Sequence, residues 1–182
     1  MPSTQSWSPS SPAPSAPLYT LEQRRRRDAS RWTIVQGVLA PLQFLAFLVS
    51  LALVVRYLAT GEGLLAATVS VVVKTLLLYT IMITGSLWER DVFGRYLFAR
   101  AFFWEDVVSM LVLALHTAYL LVLFTDALDA RAQMGIALAA YLVYVVNAAQ
   151  FVLKLRAARL QQAADGAGSP PSSPPPVLEL AR

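Results

Sequence analysis

Four long apolar runs alternate with short polar segments along the chain. They cover about residues 33–58, 64–88, 102–125 and 132–153. Each run has at least the roughly 20 residues that a helix needs to cross the hydrocarbon core of a bilayer. Within that core a single segment satisfies its own backbone groups only as a helix. The pattern therefore predicts an all-α, polytopic membrane protein with four transmembrane helices.

The two ends of the chain are polar and rich in serine and proline. Residues 1–18 and 163–182 offer too little apolar surface to offset the entropy of ordering, so we predict disordered tails. One transmembrane domain, residues 19–162, remains between them. The arginines at 24–27 precede the first apolar run as they would in a signal peptide. That run is longer than a signal sequence allows, which favours a permanent membrane span.

The amino-acid composition excludes several kinds of functional site. Of the 182 residues, 57% are hydrophobic and 14% are charged, against about 25% charged in an average soluble domain. The chain has no cysteine and one histidine, so disulfides, thiolate nucleophiles and a multi-histidine metal site within one chain are excluded. We predict no metal site of the protein's own. We interpret the net charge of +4 as the result of basic residues that orient the chain in a lipid bilayer. We expect no binding to nucleic acid.

Basic residues are distributed unequally between the two sides of the predicted bundle. One side carries Arg24, Arg25, Arg26, Arg27, Arg31, Arg90, Arg95, Arg100, Lys154, Arg156 and Arg159, whereas the other carries Arg56 and Arg131. Cytoplasmic loops are enriched in lysine and arginine. Both termini are therefore predicted to lie in the cytoplasm.

Two ionisable side chains fall at membrane depth, Lys74 in the second run and His116 in the third. Each lies about 3–4 Å beyond the centre of its run on the non-cytoplasmic side, at 1.5 Å per residue. We expect them to face each other. Ionisable groups at this depth are candidates for function, and the alternative is a structural hydrogen bond between helices.

Carboxyl groups mark the cytoplasmic ends of the second and third runs. Glu89 follows Trp88, and Glu105 follows Trp104 and precedes Asp106. Carboxyls that share a partly dry site take different protonation states, which suits acid–base chemistry. The alternative for Glu105 is a stabilising contact with the free amides of the first helical turn.

Polar residues also recur on single helix faces. Glu105, Ser109, Val112 and His116 follow a 4-3-4 spacing, which places them on one face. Two further stripes consist of Gln36, Gln43 and Ser50 in the first run and Tyr144, Asn147 and Gln150 in the fourth. Such stripes serve either as hydrogen bonds between helices or as the lining of a polar cavity that opens to the cytoplasm.

The loop between the second and third runs reads ERDVFGRYLFARA, with aromatic side chains interleaved with Arg90, Arg95 and Arg100. Aromatic rings and arginines are typical of the membrane–water interface. The segment is predicted to be either such an interfacial loop or a lid over a site that faces the cytoplasm.

The combination of FFWED at 102–106, LHTAYL at 115–120 and NAAQF at 147–151 carries a resemblance to a known family. Over about residues 19–160 the chain closely resembles the vinyl bacteriochlorophyllide hydratases, also called chlorophyllide 3-vinyl hydratases. The resemblance implies a hydro-lyase that adds water to the 3-vinyl group of chlorophyllide a, or of its bacteriochlorin form, and leaves a 3-(1-hydroxyethyl) group. It implies no cofactor. The alternative is a pigment-binding or assembly protein of the photosynthetic membrane without enzymatic activity.

The resemblance also implies a location and partners. The expected membrane is the bacterial inner membrane, cytoplasmic or intracytoplasmic and photosynthetic. The expected partner is a magnesium chlorin, with self-association or other enzymes of bacteriochlorophyll synthesis as further candidates.

The resemblance supplies no catalytic residues, so the candidates come from the chemistry of the side chains. Hydration of a vinyl group needs an acid and a base, and we assign Glu105 as proton donor with Asp106 and Glu89 assisting. The substrate-binding candidates are His116, Lys74, Trp104, Phe103, Trp88, Arg95, Asn147 and Gln150. His116 is also a candidate axial ligand to the substrate's magnesium, although about 16 Å of helix separate it from Glu105.

Overall fold

A computed structural model of the chain describes residues 18–167, and all of the regular structure in this range is helical. The five helices are α1 (Leu21–Ala29), α2 (Arg31–Thr60), α3 (Leu64–Phe93), α4 (Phe103–Thr125) and α5 (Ala130–Ala167). Helices α2 to α5 contain apolar segments long enough to cross a membrane. The predicted four-helix membrane architecture is therefore confirmed, while the side on which the termini lie stays a prediction.

The boundaries differ from the predicted ones mainly at the polar ends. Helix α3 continues to Phe93 and α5 to Ala167, because helical hydrogen bonding continues beyond the hydrocarbon core wherever no residue interrupts it. The predicted C-terminal tail was placed from residue 163 onward, so its first five residues belong to α5. Residues 1–17 and 168–182, which make up most of both predicted tails, lie outside the described range.

The short helix α1 was not predicted. Thr20 and Gln23 form a capping box at its start. The backbone amide of Gln23 donates to Thr20 Oγ1 at 3.2 Å, and the backbone amide of Thr20 donates to Gln23 Oε1 at 2.9 Å. Its polar sequence has no buried residue, so hydrophobic periodicity could not identify it. The Ser30 hydroxyl then donates to Asp91 of α3 at 2.8 Å, which fixes the junction of α1 and α2 against the end of α3.

The bundle consists of two antiparallel hairpins. Helix α2 packs along α3, and α4 packs along α5, whereas the two hairpins contact each other less extensively. The turn between α2 and α3 uses Gly61 and Gly63 in the left-handed region, at φ 77° and 83°, where glycine carries no steric penalty. Most of each apolar segment faces outward, as a surface in contact with lipid requires.

The start of α2, the end of α3, the start of α4 and the far part of α5 lie at the same end of the bundle. We call it the arginine-rich end, because the loop arginines and α1 lie there. The interface between the hairpins contains both aliphatic residues, such as Val71 and Val112, and fully buried polar residues such as Lys74 and His116. The buried polar groups between the hairpins therefore mark the positions at which a functional site can lie.

Candidate active site

Helices α3 and α4 bring two acids together at the arginine-rich end. Glu89 in the last turns of α3 and Asp106 in the first turn of α4 are buried, at 5% and 4% exposure. Their carboxyls lie close enough for mutual electrostatic repulsion and for a shared hydrogen bond. Because an ionised carboxylate has only acceptors, a hydrogen bond between two carboxyls requires a proton on one of them. The pair can therefore hold and release a proton.

The loop between α3 and α4 is bonded to these acids. The backbone amide of Phe98 donates to Asp106 Oδ2 at 2.7 Å, and the amide of Ala99 donates to Glu89 Oε2 at 3.2 Å. Phe98 adopts a left-handed conformation with φ 59°, which non-glycine residues rarely occupy. The loop predicted from its aromatic and arginine pattern is thus held against the carboxyl pair through its backbone.

Glu105, the predicted proton donor, has a different partner. Its Oε2 accepts a hydrogen bond from Lys154 Nζ of α5 at 2.6 Å, and the two form an ion pair. Glu105 is 7% exposed, and one turn further along α4 the buried Ser109 accepts a hydrogen bond from Asn147 Nδ2 at 2.9 Å. We refer to Glu89, Asp106, Glu105 and Lys154 as the carboxyl cluster.

The predicted polar face of α4 is buried along its length. Glu105, Ser109, Val112 and His116 are all at 7% exposure or less. Lys154 was missed as a site residue because, in the sequence, it counted only as an orientation charge at the end of the fourth run. The sequence did carry one signal for it. Lys154, at the end of the fourth run, and Glu105, near the start of the third, fall at the same predicted end of the bundle.

Lys74 and His116 meet in the middle of the bundle, as their depths in the sequence predicted. The distance from Lys74 Nζ to His116 Nε2 is 3.0 Å, and His116 Nδ1 lies 2.8 Å from the carbonyl oxygen of Val112. A carbonyl only accepts, so Nδ1 carries the hydrogen and Nε2 accepts from Lys74. Both ring nitrogens are therefore engaged, and an axial bond from His116 to magnesium would require Lys74 to move away.

Aromatic rings surround the Lys74 amine. It lies 4.2 Å from the ring centroid of Tyr144, 5.1 Å from that of Tyr141 and 6.0 Å from that of Phe47. Distances of this size permit cation–π attraction. We call Lys74 and His116 the mid-membrane pair. Within the described range, its contacts come from α2, α3, α4 and α5 together.

The predicted substrate-binding aromatics separate into two groups. Trp88 lies in a cluster at the arginine-rich end, with its ring centroid 5.6 Å from that of Phe102. Trp104 and Phe103 are 69% and 43% exposed and point outward. The cluster also includes Tyr19, whose ring is 6.3 Å from Phe102. Tyr19 was not singled out from the sequence, since a lone ring before an arginine run carries no periodic signal. Phe102 was part of the FFWED motif but was not assigned a role.

The remaining predicted binding residues lie at different levels. Arg95 is exposed in the loop between α3 and α4. Asn147 is 8% exposed and bonded to Ser109, while its Oδ1 has no hydrogen-bond partner among residues 18–167. Gln150, about one turn beyond Asn147 on α5, also has an unpaired side-chain oxygen within the same range. The two amides therefore lie between the carboxyl cluster and the mid-membrane pair.

Together, these features define a multi-pass helical membrane protein with a buried acid cluster at one end of its bundle. A family profile described as 2-vinyl bacteriochlorophyllide hydratase matches residues 19–157. The 2-vinyl bacteriochlorophyllide hydratase of Rhodobacter capsulatus is 65% identical over 162 residues, which cover 89% of this chain and 94% of that protein. The protein of the same description from Cereibacter sphaeroides is 66% identical over 157 residues, or 86% and 98% of the two chains. This chain belongs to the 2-vinyl bacteriochlorophyllide hydratase family.

The resemblance predicted from the sequence motifs is thereby confirmed. No solved protein structure matches the chain at a significant level. The roles of individual side chains must therefore be argued from the chain's own geometry.

Proposed function

We propose that this chain adds water to the ring-A vinyl group of a chlorophyllide-type pigment, with the carboxyl pair of Glu89 and Asp106 transferring the proton. Membership of a family of hydratases supports the reaction class. The proximity of two buried acids is the observation that carries the assignment of the proton site. A site that holds one proton between two carboxyls supplies both an acid and, after transfer, a base.

The reaction balances with these groups alone. The protonated carboxyl delivers its proton to the terminal vinyl carbon as the π bond breaks. The positive charge on the inner carbon is delocalised into the macrocycle. The oxygen of water then bonds to that carbon, and the proton that water loses restores the carboxyl. Acid–base assistance of this kind typically contributes roughly 10²–10⁴-fold.

Glu105 takes a supporting role in this mechanism. Its Oε2 forms an ion pair with Lys154 at 2.6 Å, and a carboxylate in an ion pair only accepts hydrogen bonds. Charge-assisted hydrogen bonds of this kind are stronger than neutral ones and hold side chains in place. Glu105 is therefore proposed as a positioning residue beside Asp106, and the donor role passes to the neighbouring pair.

The pigment is proposed to enter at the arginine-rich end. Trp88, which is half-buried and packs against Phe102 at 5.6 Å between ring centroids, is proposed to contact the pigment beside the acids. Arg95, exposed on the loop, is suited to a propionate of the pigment because a guanidinium binds carboxylates through paired hydrogen bonds. The positive-inside rule supports a cytoplasmic position for this end. The membrane proposed is the inner membrane of a photosynthetic bacterium.

Membranes that contain the chain, from a host without the pigment pathway, provide the test. We expect added chlorophyllide to lose its vinyl group, with a shift of the red absorption band and a mass gain of one water in the extracted pigment. In water labelled with heavy oxygen, the label should enter the pigment. Pigment that binds to the membranes but is recovered unchanged would contradict the proposal and favour a pigment-binding role. Membranes from the same host without the chain are the control.

A further inference from the structure

The side chain of Gln43 has an unusual environment. It is 2% exposed in the half of α2 nearer the arginine-rich end, and neither its Nε2 nor its Oε1 has a hydrogen-bond partner among residues 18–167. Buried polar groups are normally paired, because an unpaired amide loses its bonds to water without replacement. A buried amide with both atoms unused is therefore a candidate for binding a ligand.

The register of α2 and α5 places Gln43 at the same level of the bundle as a second unpaired amide. The rings of Phe47 and Tyr144 pack at 5.0 Å between centroids. The two helices are antiparallel, so one turn back from Phe47 and one turn forward from Tyr144 lead in the same direction. These steps reach Gln43 and Asn147, whose Oδ1 is also unpaired within the described range.

Ser109 of α4 completes this level of the bundle. Asn147 Nδ2 donates to the Ser109 hydroxyl at 2.9 Å, and Ser109 is 3% exposed. Amide groups and a hydroxyl from three helices thus lie at one level of the bundle, where all three are buried. A water molecule is held by 2–4 polar partners, and this set offers both donors and acceptors.

The distance to the acids fits an addition across a double bond. Ser109 lies one helical turn, or about 6 Å along the axis, from Glu105. The carboxyl pair is at the level of Glu105, since Asp106 is the next residue. A vinyl group between the two levels would have its terminal carbon toward the acids and its inner carbon toward the amides.

We propose that Gln43, together with Asn147 and Ser109, binds the water molecule that is added to the vinyl group. This inference rests on the proposed function and extends it to the second reactant. The amide oxygen of Gln43 accepts a hydrogen bond from the water, which directs a lone pair of the water toward the inner carbon. The carbon–oxygen bond forms there, and the proton that the water loses returns to the carboxyl pair.

The first test compares two glutamines of α2. Gln43→Met removes the amide at nearly constant size, whereas Gln36→Met is the matched control, since Gln36 donates to Thr84 Oγ1 at 2.7 Å and is not at the amide level. For Gln43→Met we expect kcat to fall roughly tenfold or more, with KM for the pigment unchanged. The control should keep both values. Unchanged kcat in Gln43→Met would overturn the inference.

The second test uses methanol as an alternative nucleophile and does not depend on the first variant. Gln43→Ala leaves space beside the bound water, so in a water–methanol mixture the variant should form the methyl ether of the pigment alcohol. We expect its ratio of ether to alcohol to exceed that of the unaltered chain by roughly tenfold, the scale at which a pocket distinguishes one methylene. A ratio equal to that of the unaltered chain would contradict a water site at Gln43.

The two proposals fail in distinguishable ways. If the unaltered chain leaves the vinyl group intact, the proposed function is wrong before any variant is considered. If the unaltered chain is active, and the variants at Gln43 lower pigment binding and thermal stability without affecting kcat or the choice of nucleophile, then Gln43 is structural and the water site is wrong.

Discussion

The carboxyl cluster and the mid-membrane pair are both built from buried ionisable groups on α3 and α4, but their partners differ. In the mid-membrane pair, Lys74 donates to His116 and His116 donates to its own helix backbone. In the carboxyl cluster, Glu89 and Asp106 lie close to each other and accept hydrogen bonds from a loop. One site is closed by helices, and the other is closed by a segment that is not part of a helix.

This difference shows that membrane depth alone does not identify a catalytic group. An ionisable residue inside a membrane is a functional candidate by default, and Lys74 meets that criterion better than Glu89 does. Yet each polar atom of the mid-membrane pair is used by the protein. The Lys74–His116 hydrogen bond joins α3 to α4 and adds to the contacts between the two hairpins. We therefore expect this pair to stabilise the bundle, whereas the acids are proposed to transfer the proton.

The largest effect is expected from the carboxyl pair. Asp106→Asn and Glu89→Gln keep an oxygen that accepts from the loop amides, so the loop should stay in place. Neither amide can deliver a proton, and turnover should fall by roughly 10²-fold or more. The measurement is pigment conversion together with pigment binding, which should be retained.

Asp91→Asn is the matched control for these two variants. Asp91 lies at the same end of α3 and accepts a hydrogen bond from Ser30, outside the carboxyl cluster. It should keep near-normal turnover. If Asp106→Asn and Glu89→Gln also did so, the carboxyl pair would have no part in proton transfer.

An intermediate effect is expected at Glu105. Glu105→Gln keeps an acceptor for Lys154 but removes the charge of the ion pair, so we expect a loss of about tenfold or less from altered positioning of Asp106. The rate of conversion at saturating pigment is the measurement. A loss as large as that of Asp106→Asn would instead assign the donor role to Glu105, as the sequence first suggested.

The features predicted correctly from the sequence depend on helix geometry alone. Apolar run length predicts the four spans, because a membrane requires about 20 apolar residues per helix. Counting residues along the second and third runs places Lys74 and His116 at equal depth, so the two were expected to face each other. The 4-3-4 spacing predicts that Glu105, Ser109, Val112 and His116 share one face of α4, because these intervals match the 3.6-residue helical repeat. The structure shows that this face is buried.

The features that were missed depend on chain reversals and on rotation of helices. The amides of Phe98 and Ala99 reach the acids only because Phe98 adopts a positive φ, and no periodicity encodes that conformation. Trp104 lies next to Glu105 in sequence, but neighbouring residues on a helix point about 100° apart. Trp104 is consequently exposed while Glu105 is buried.

The smallest effect on turnover is expected from replacing the whole mid-membrane pair. The double variant Lys74→Met with His116→Leu places apolar side chains of similar size at two fully buried positions. Replacement of a buried polar pair in this way is often neutral or stabilising. We therefore expect turnover within about threefold of the unaltered chain, because neither residue contacts the reacting atoms in the proposed mechanism.

The single variant His116→Leu sharpens this comparison. It leaves the Lys74 amine buried without its acceptor, which should lower the free energy of unfolding by about 1–3 kcal/mol. Thermal unfolding in detergent should therefore rank the single variant below both the double variant and the unaltered chain. A double variant that is stable but has lost pigment affinity would contradict the structural role. It would show that Lys74 or His116 binds the pigment, which would make the centre of the membrane part of the active site.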